Sequence, residues 1–418
     1  MEKVSEHVNQ ILRRNLYELK LDEKQMMRLE RQKEDLRRNL KAAGTGNRNV
    51  KEYLITFIEE FLLNSLLMDE EKINETFLFS REGLAREDTM FDILLFLYEK
   101  EYQMEALEHL ICDGGFLQNG RNYISGEEME LFYARRARPL SFIEQLELLS
   151  QKVYAYYKGL GAIDEIRDMK IDGVSGGVSG KAGDYHSAWI FYHGRSIALP
   201  FLDFESEEEM ERIARNLCRY HQPGEISRKK GYMVHEMADH ARVVAARPDF
   251  AENWMFFVRK LDNIPDISLK QLVTGENAAL PATLLKWLMK GCQVTAITGM
   301  QGCGKTTLLT SMVEEIPQEY TIRVLELAFE LHLRERYGDR NIVTFRETAD
   351  VQHKGGIGGW EALEVQKKTD GAVSIIGEVV SAKVASWMIE SGQTGSLFTI
   401  FTHHAKTTRS LLLSLRNS

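Results

Sequence analysis

The chain has 418 residues, 44% hydrophobic and 28% charged, the balance of a folded globular protein with room for about two to four domains. Its 53 basic and 62 acidic residues leave a formal net charge of −9, which argues against a dedicated nucleic-acid binder. Four scattered cysteines, Cys112, Cys218, Cys292 and Cys303, form no CxxC pair, so a disulfide framework or zinc knuckle is not expected and a reducing cytosol fits. The polar start MEKVSEHVNQ is no signal peptide, and the longest apolar run (53–68) is broken by Glu59 and Glu60, too short for a bilayer span of about 20 residues.

Residues 1–45 read as a charged helical arm. Val4, Val8, Ile11 and Leu12 share one face, and Asp22 with Gln25 is placed to cap a second helix carrying Met26, Leu29, Leu36 and Leu40. GTGNRN (44–49) is a break. Residues 50–135 read as a helical domain, with Phe91, Leu94, Leu95, Leu107, Leu110 and Ile111 in its core. An α+β domain is expected over 140–262. Within it DGVSGGVSGKAGD (172–184) reads as a flexible loop, and SAWIFYHGRSIALPF (187–201) as a hairpin turning at His193-Gly194. A serine-capped helix follows at 206–220, and further strands lie near 233–248 and 253–262. Residues 263–282, with two prolines and a glycine, read as a linker plus a short helix. From 283 to 418 strands and helices alternate as in a parallel α/β sheet.

The densest motif is GMQGCGKTTLL (299–309). Gly299, Gly304, Lys305 and Thr306 satisfy G-x-x-x-x-G-K-[ST], with the expected strand before (293–298) and helix after (306–316). Glycines let the backbone curl so that N–H groups point at phosphate oxygens, and the helix N-terminus adds partial positive charge. Lys305 is placed to reach the β- and γ-phosphates of a nucleotide, and the Thr306 hydroxyl to ligate Mg²⁺. Cys303 lies inside this loop. Three apolar strands follow: one runs into Glu326 and Glu330, one ends at Gly377-Glu378, and one ends at His403-His404. Acid, acid and histidine would converge at the carboxyl edge of a parallel sheet, where ligands bind.

Together, GCGKTT (302–307), ELAFEL (326–331), IIGEVV (375–380) and THHA (402–405) resemble the Walker A, acidic box, Walker B and histidine box of the type II/type IV secretion ATPase superfamily, closest to its tight-adherence pilus branch. More weakly, GLGAIDEI (159–166), HARVVAARP (240–248) and FVRKL (257–261) are similar to the N-terminal domain of that family. The resemblance implies a P-loop, RecA-like ATPase domain at the C-terminus, an α+β (PAS-like) domain before it and a helical N-terminal extension. It implies catalytic roles for Glu378, Glu326, Lys305 and His404, with His404 rather than His403 as the box histidine. Nucleotide contacts fall to Gly299, Gly302, Cys303, Gly304, Lys305, Thr306 and Thr307, with Arg242 and Arg259 reaching the γ-phosphate. Thr306 and Glu378 would hold Mg²⁺.

The sequence departs from the family at Leu327 (for aspartate), at Val380 (for arginine) and in VQKKTDG (365–371), which keeps Lys367 and Lys368 but no arginine. The family continues with a helical C-terminal region, whereas here 14 residues follow His404 (404 to 418), so a truncated C-terminal region is expected. The implied protein is a cytoplasmic Mg-ATP hydrolase at the inner face of the cytoplasmic membrane. It would form a hexamer and drive an integral-membrane platform protein of a pilus or secretion system, with no direct nucleic-acid contact. Two alternatives are a nucleotide-regulated scaffold without hydrolysis and a RecA-like nucleic-acid translocase.

Overall fold

In the computed structural model the chain forms two compact units, Met1–Leu261 and Asp262–Ser418. The structure describes residues 1–13, 23–76, 86–179, 186–220, 226–229, 231–260, 267–300, 302–326, 329–346, 364–366, 368–379, 384–386, 388–389 and 396–416. Asp22, Leu327, Lys367, Val380, residues 180–184 of the glycine-rich segment and 263–266 of the expected linker lie outside them.

The first unit begins with helices. Glu2–Arg13 turns Val4 and Val8 inward, and His7 stacks on Phe61 with ring centroids 4.3 Å apart. Helix Glu23–Ala42 adds Leu36 to the same apolar cluster, and helices Arg48–Asn64 and Phe142–Tyr157 supply most of the rest. The break expected at 44–49 is a turn capped by Asn47, whose side chain accepts from the Val50 amide. Helices Glu87–Tyr102, Ala106–Gly114 and Gly126–Arg136 follow the expected helical pattern. They are not a domain apart, however. Phe91, Leu94 and Leu110 share one core with Val174, Ile190 and Val258 of the sheet, so segment 86–136 covers that sheet.

The sheet has six antiparallel strands: β1 (Gly173–Gly176), β2 (Ser187–Tyr192), β3 (Arg195–Asp203), β4 (Tyr232–Glu236), β5 (Arg242–Ala246) and β6 (Met255–Arg259), in the order β3-β2-β1-β6-β5-β4. The β2–β3 hairpin turns where expected, with His193 and Gly194 both left-handed (φ 47° and 73°), the geometry that matches strand twist. One expectation is overturned in part: within the glycine-rich segment, Gly173–Gly176 is not a loop but the buried strand β1, paired with β2 and β6. Its glycines answer to crowding. A Cβ on Gly176 would lie 2.6 Å from the Phe204 ring and 2.7 Å from that of Phe256, and one on Gly173 would overlap the Val258 carbonyl. Those two rings meet edge to face, and only a residue without a side chain lets them close over the strand.

Charge is also buried in this unit. Lys51 bridges to Asp164 (2.8 Å), Glu165 (3.0 Å) and Asp168 (2.8 Å), tying helix Arg48–Asn64 to helix Asp164–Asp168. Asp92 and Lys152 form a second ion pair between helices Glu87–Tyr102 and Phe142–Tyr157, only 11% and 18% exposed.

The second unit is α/β. Five parallel strands, β7 (Thr295–Thr298), β8 (Ile322–Glu326), β9 (Ile342–Arg346), β10 (Val373–Val379) and β11 (Phe398–His403), run in the order β7-β11-β10-β8-β9. Ile375 packs in one apolar cluster and its neighbour Ile376 in another, so the sheet is covered on both faces, which is why its strands read as unbroken apolar runs. Of the expected linker and short helix, residues 267–282 are described, and they include the short helix Leu269–Leu272. Leu269 is buried in this unit's core, and Ser311 Oγ donates to the Ile267 carbonyl at 2.6 Å. Among the described residues no helix is long and apolar enough to cross a membrane.

The Asp92 carboxyl is pushed up to about 6 by burial, a shift that the charge and hydrogen bond of Lys152 oppose. The folded chain therefore takes this proton more readily than the unfolded one. Its contribution to stability is full below about pH 4 and is lost as pH rises through about 6. We expect the stability difference between the parent and Asp92→Asn to move against the parent by roughly 2–3 kcal/mol from pH 4 to 7, read by urea unfolding. Parallel pH profiles would contradict it.

Candidate active site

Strand order assembles the site. β7, β11, β10 and β8 are successive neighbours running the same way, so the segments that leave their carboxyl ends lie side by side. These are, in order, the glycine loop, His404, Glu378 and Glu326.

The loop leaves β7 at Thr298 and enters helix Lys305–Val313. Gly302 and Gly304 are left-handed (φ 74° and 85°), which curls the backbone, and a Cβ built on either meets no described atom within 4 Å. Gly299 is glycine for another reason, since a Cβ there would collide with Cys303 Sγ. Thr306 and Thr307 stand in the first helical turn, their carbonyls accepting from the hydroxyls of Thr310 (2.8 Å) and Ser311 (2.9 Å). Lys305, only 7% exposed, folds back, its Nζ donating to the Met300 carbonyl at 2.9 Å and to His404 Nδ1 at 3.2 Å.

An ammonium group only donates, so Nδ1 of His404 is an acceptor and its proton sits on Nε2. That Nε2 faces Glu378 Oε1 in direct contact. Lys305, His404 and Glu378 are thus linked in one chain of hydrogen bonds, with the imidazole and carboxylate about two-fifths and one-third exposed. His403 points the other way: it is buried and bonds the Val379 carbonyl.

Glu326 is placed differently from Glu378. It is buried, and its Oε1 accepts the amides of both Glu330 and Leu331 at 2.9 Å. One oxygen of this acid therefore holds the loop that follows its own strand. Gly377 lets it pack there, because a Cβ at that position would stand 3.0 Å from Glu326 Cγ. Arg242 and Arg259 belong to the first unit, where they are register partners on β5 and β6, both exposed.

Sequence reasoning missed two supports. β9 was not anticipated, although IVTF within 342–346 carries the β-branched and aromatic signal of a strand. Arg323 was also missed. It is buried in β8, its Nε and Nη2 donating to the Thr369 carbonyl (2.9 and 2.6 Å) and its Nη1 to Ile322 O (2.9 Å) and Asn341 Oδ1 (3.0 Å). Burial lowers its proton affinity, and Asp370 opposes the shift. Arg323 clamps the segment that leads into β10, and nothing in the sequence marks this arginine from a surface one.

No protein-family model matches this sequence, and no curated protein matches it. Solved structures do match. The VirB11 ATPase of the Brucella suis type IV secretion system is similar at 16% identity, over 59% of this chain and 75% of that one, with a TM-score of 0.29. The Legionella pneumophila ATPase DotB is similar at 15%, over 59% and 66%, TM-score 0.41. The pilus retraction motor PilT with bound ADP is similar at 16%, over 62% and 70%, TM-score 0.42.

Replacing Arg323 by methionine keeps its volume but strands the carbonyls it serves. We expect the second unit to lose about 2–4 kcal/mol in urea unfolding, with little recovered by Arg323→Lys, which lacks the planar fork. An unchanged midpoint would show that the clamp is not needed.

Proposed function

We propose that the second unit binds and hydrolyses ATP and that the chain is the motor of a secretion or pilus-assembly system. The observation that carries this reading is the Lys305–His404–Glu378 chain at the mouth of a left-handed glycine loop that opens a helix. Loop amides, those of Gly302 to Thr307 among them, and the helix N-terminus form an anion cradle. Lys305 exchanges the Met300 carbonyl and His404 for phosphate oxygens. Glu378, acceptor-only when ionised, orients the attacking water and receives its proton. His404 steadies that carboxylate through Nε2 and, with Lys305 drawn away, turns Nδ1 toward the γ-phosphate side. Glu326 keeps the 329–331 backbone in place beside them.

Thr306 and Glu378 offer a hydroxyl and a carboxylate, hard oxygen donors of the kind Mg²⁺ takes. Mg²⁺ held there would neutralise charge on the β- and γ-phosphates. Arg242 and Arg259, side by side on two strands, are a guanidinium pair suited to phosphate oxygens and would couple the first unit to nucleotide state. From the resemblance of its motifs to secretion ATPases, the chain works in the cytoplasm as a hexameric ring. There it passes nucleotide-driven motion to an integral-membrane platform protein.

Steady-state ATP hydrolysis tests the reading. Lys305→Ala and Glu378→Gln are each expected to lower kcat by a factor on the order of 100 or more. Parent turnover equal to these variants would remove the motor reading and favour a nucleotide-regulated scaffold; turnover that requires DNA would favour a translocase. A second test uses Cys303, which is exposed within the loop. Maleimide on Cys303 is expected to abolish nucleotide binding, and bound ATP to slow its modification by about tenfold relative to the exposed Cys112, followed by peptide mass mapping. Equal rates with and without ATP would place the nucleotide elsewhere.

A further inference from the structure

β10 and β11 do not pair evenly. Ile376 stands opposite Phe401, and Val379 opposite His403, so Gly377 and Glu378 together face the single residue Thr402. An extra residue of this kind is a bulge, which bends the strand and re-aims a side chain. Packing records the consequence. Ile376 and Val379 lie in the same apolar cluster, with Leu325 and Phe401, although they are three residues apart. Unbroken two-residue alternation would send residue 378 into that cluster instead. The bulge therefore exchanges the two: Val379 enters the core, and Glu378 is left at the strand end, where it meets His404. Without it a carboxylate would be driven among apolar side chains.

Two side chains grip the carbonyls on either side of the displaced acid. Thr402 Oγ1 donates to Gly377 O at 2.6 Å, and His403 Nδ1 donates to Val379 O at 2.6 Å. Both donors are buried, at 2% and 7% exposure. The carbonyl can only accept, so His403 carries its proton on Nδ1. β11 thus offers three consecutive residues to one acid: Thr402 and His403 hold its flanking peptides, and His404 touches its carboxylate.

We infer that Thr402 and His403 are positioning residues that lock the β10 bulge and so present Glu378 to the reacting groups. The catalytic part of this inference rests on the ATPase reading of Glu378; the locking part does not. Their hydrogen bonds run to carbonyls of β10 on either side of Glu378, so both act through the backbone of that strand.

The experiment compares Thr402→Val, His403→Leu and their double variant with Thr402→Ser/His403→Asn, which keeps a hydroxyl and an N–H donor at both positions. Removing the donors is expected to lower kcat by about 100-fold with KM changed less than about threefold, the signature of a misplaced catalytic group rather than lost binding. The Ser/Asn pair is expected to stay within about fivefold of the parent. Backbone hydrogen exchange across 377–379 is measured on the same proteins, and should accelerate about tenfold or more without the donors but not in the Ser/Asn pair. If the double variant does not fold, the two single variants carry the same comparison. Loss of KM alone, equal kcat in the Val/Leu and Ser/Asn forms, or unchanged exchange would each overturn the inference. Should the parent hydrolyse ATP no faster than Lys305→Ala, the motor reading fails separately, and exchange still decides whether Thr402 and His403 hold the bulge.

Discussion

Lys305, His404 and Glu378 touch because β7, β11 and β10 are hydrogen-bonded neighbours that run in the same direction. Parallel pairing places every carboxyl end on one edge, and each crossover carries the chain back before the next strand begins. Residues from around 305, 378 and 404 are thereby brought to one line. Nothing else in the second unit is needed to explain why a lysine and a histidine 99 positions apart share a hydrogen bond. The helices serve this edge by covering both faces of the sheet with apolar side chains.

The acids at that edge are not equivalent. Glu326 is buried and spends one oxygen on two backbone amides, whereas Glu378 is carried outward by a bulge to a partly exposed histidine. Burial with fixed amide donors suits an acid that shapes a loop. Partial exposure beside an imidazole suits one that handles water and protons. The first unit applies the same physics to stability. Lys51 among three carboxylates and Asp92 against Lys152 join helices that are distant in sequence, and a buried charge left without its partner is strongly destabilising.

Much of this was legible in advance, and particular residues explain why. The glycine loop, the strands ending at Glu326, Glu378 and His403-His404, the His193-Gly194 hairpin and the Ser206-capped helix are local patterns, set by turn chemistry and by periodicity within about ten residues. Residues 173–176 of the glycine-rich segment were misread for the same reason. A run of glycines looks flexible until the Phe204 and Phe256 rings are seen closing over Gly176, and those rings come from 28 and 80 residues further on. The short helix expected within 263–282 is present at Leu269–Leu272, but the burial of Leu269 depends on a core assembled later in the chain.

By itself the sequence determined the kind of chemistry on offer. A phosphate-type loop, two strand-end acids and a strand-end histidine occur in an order that only a parallel sheet would gather, since residue type and short spacing are written locally. Tertiary structure alone decided where each group stands and what it touches. It set His404, the histidine already singled out in the sequence, between Lys305 and Glu378, turned Glu326 inward and Glu378 outward, and gave Arg323, Thr402 and His403 backbone carbonyls to hold. Those outcomes depend on strand register and on a single extra residue in β10. Register is set by packing between strands far apart in the chain, where no short stretch of sequence holds the information.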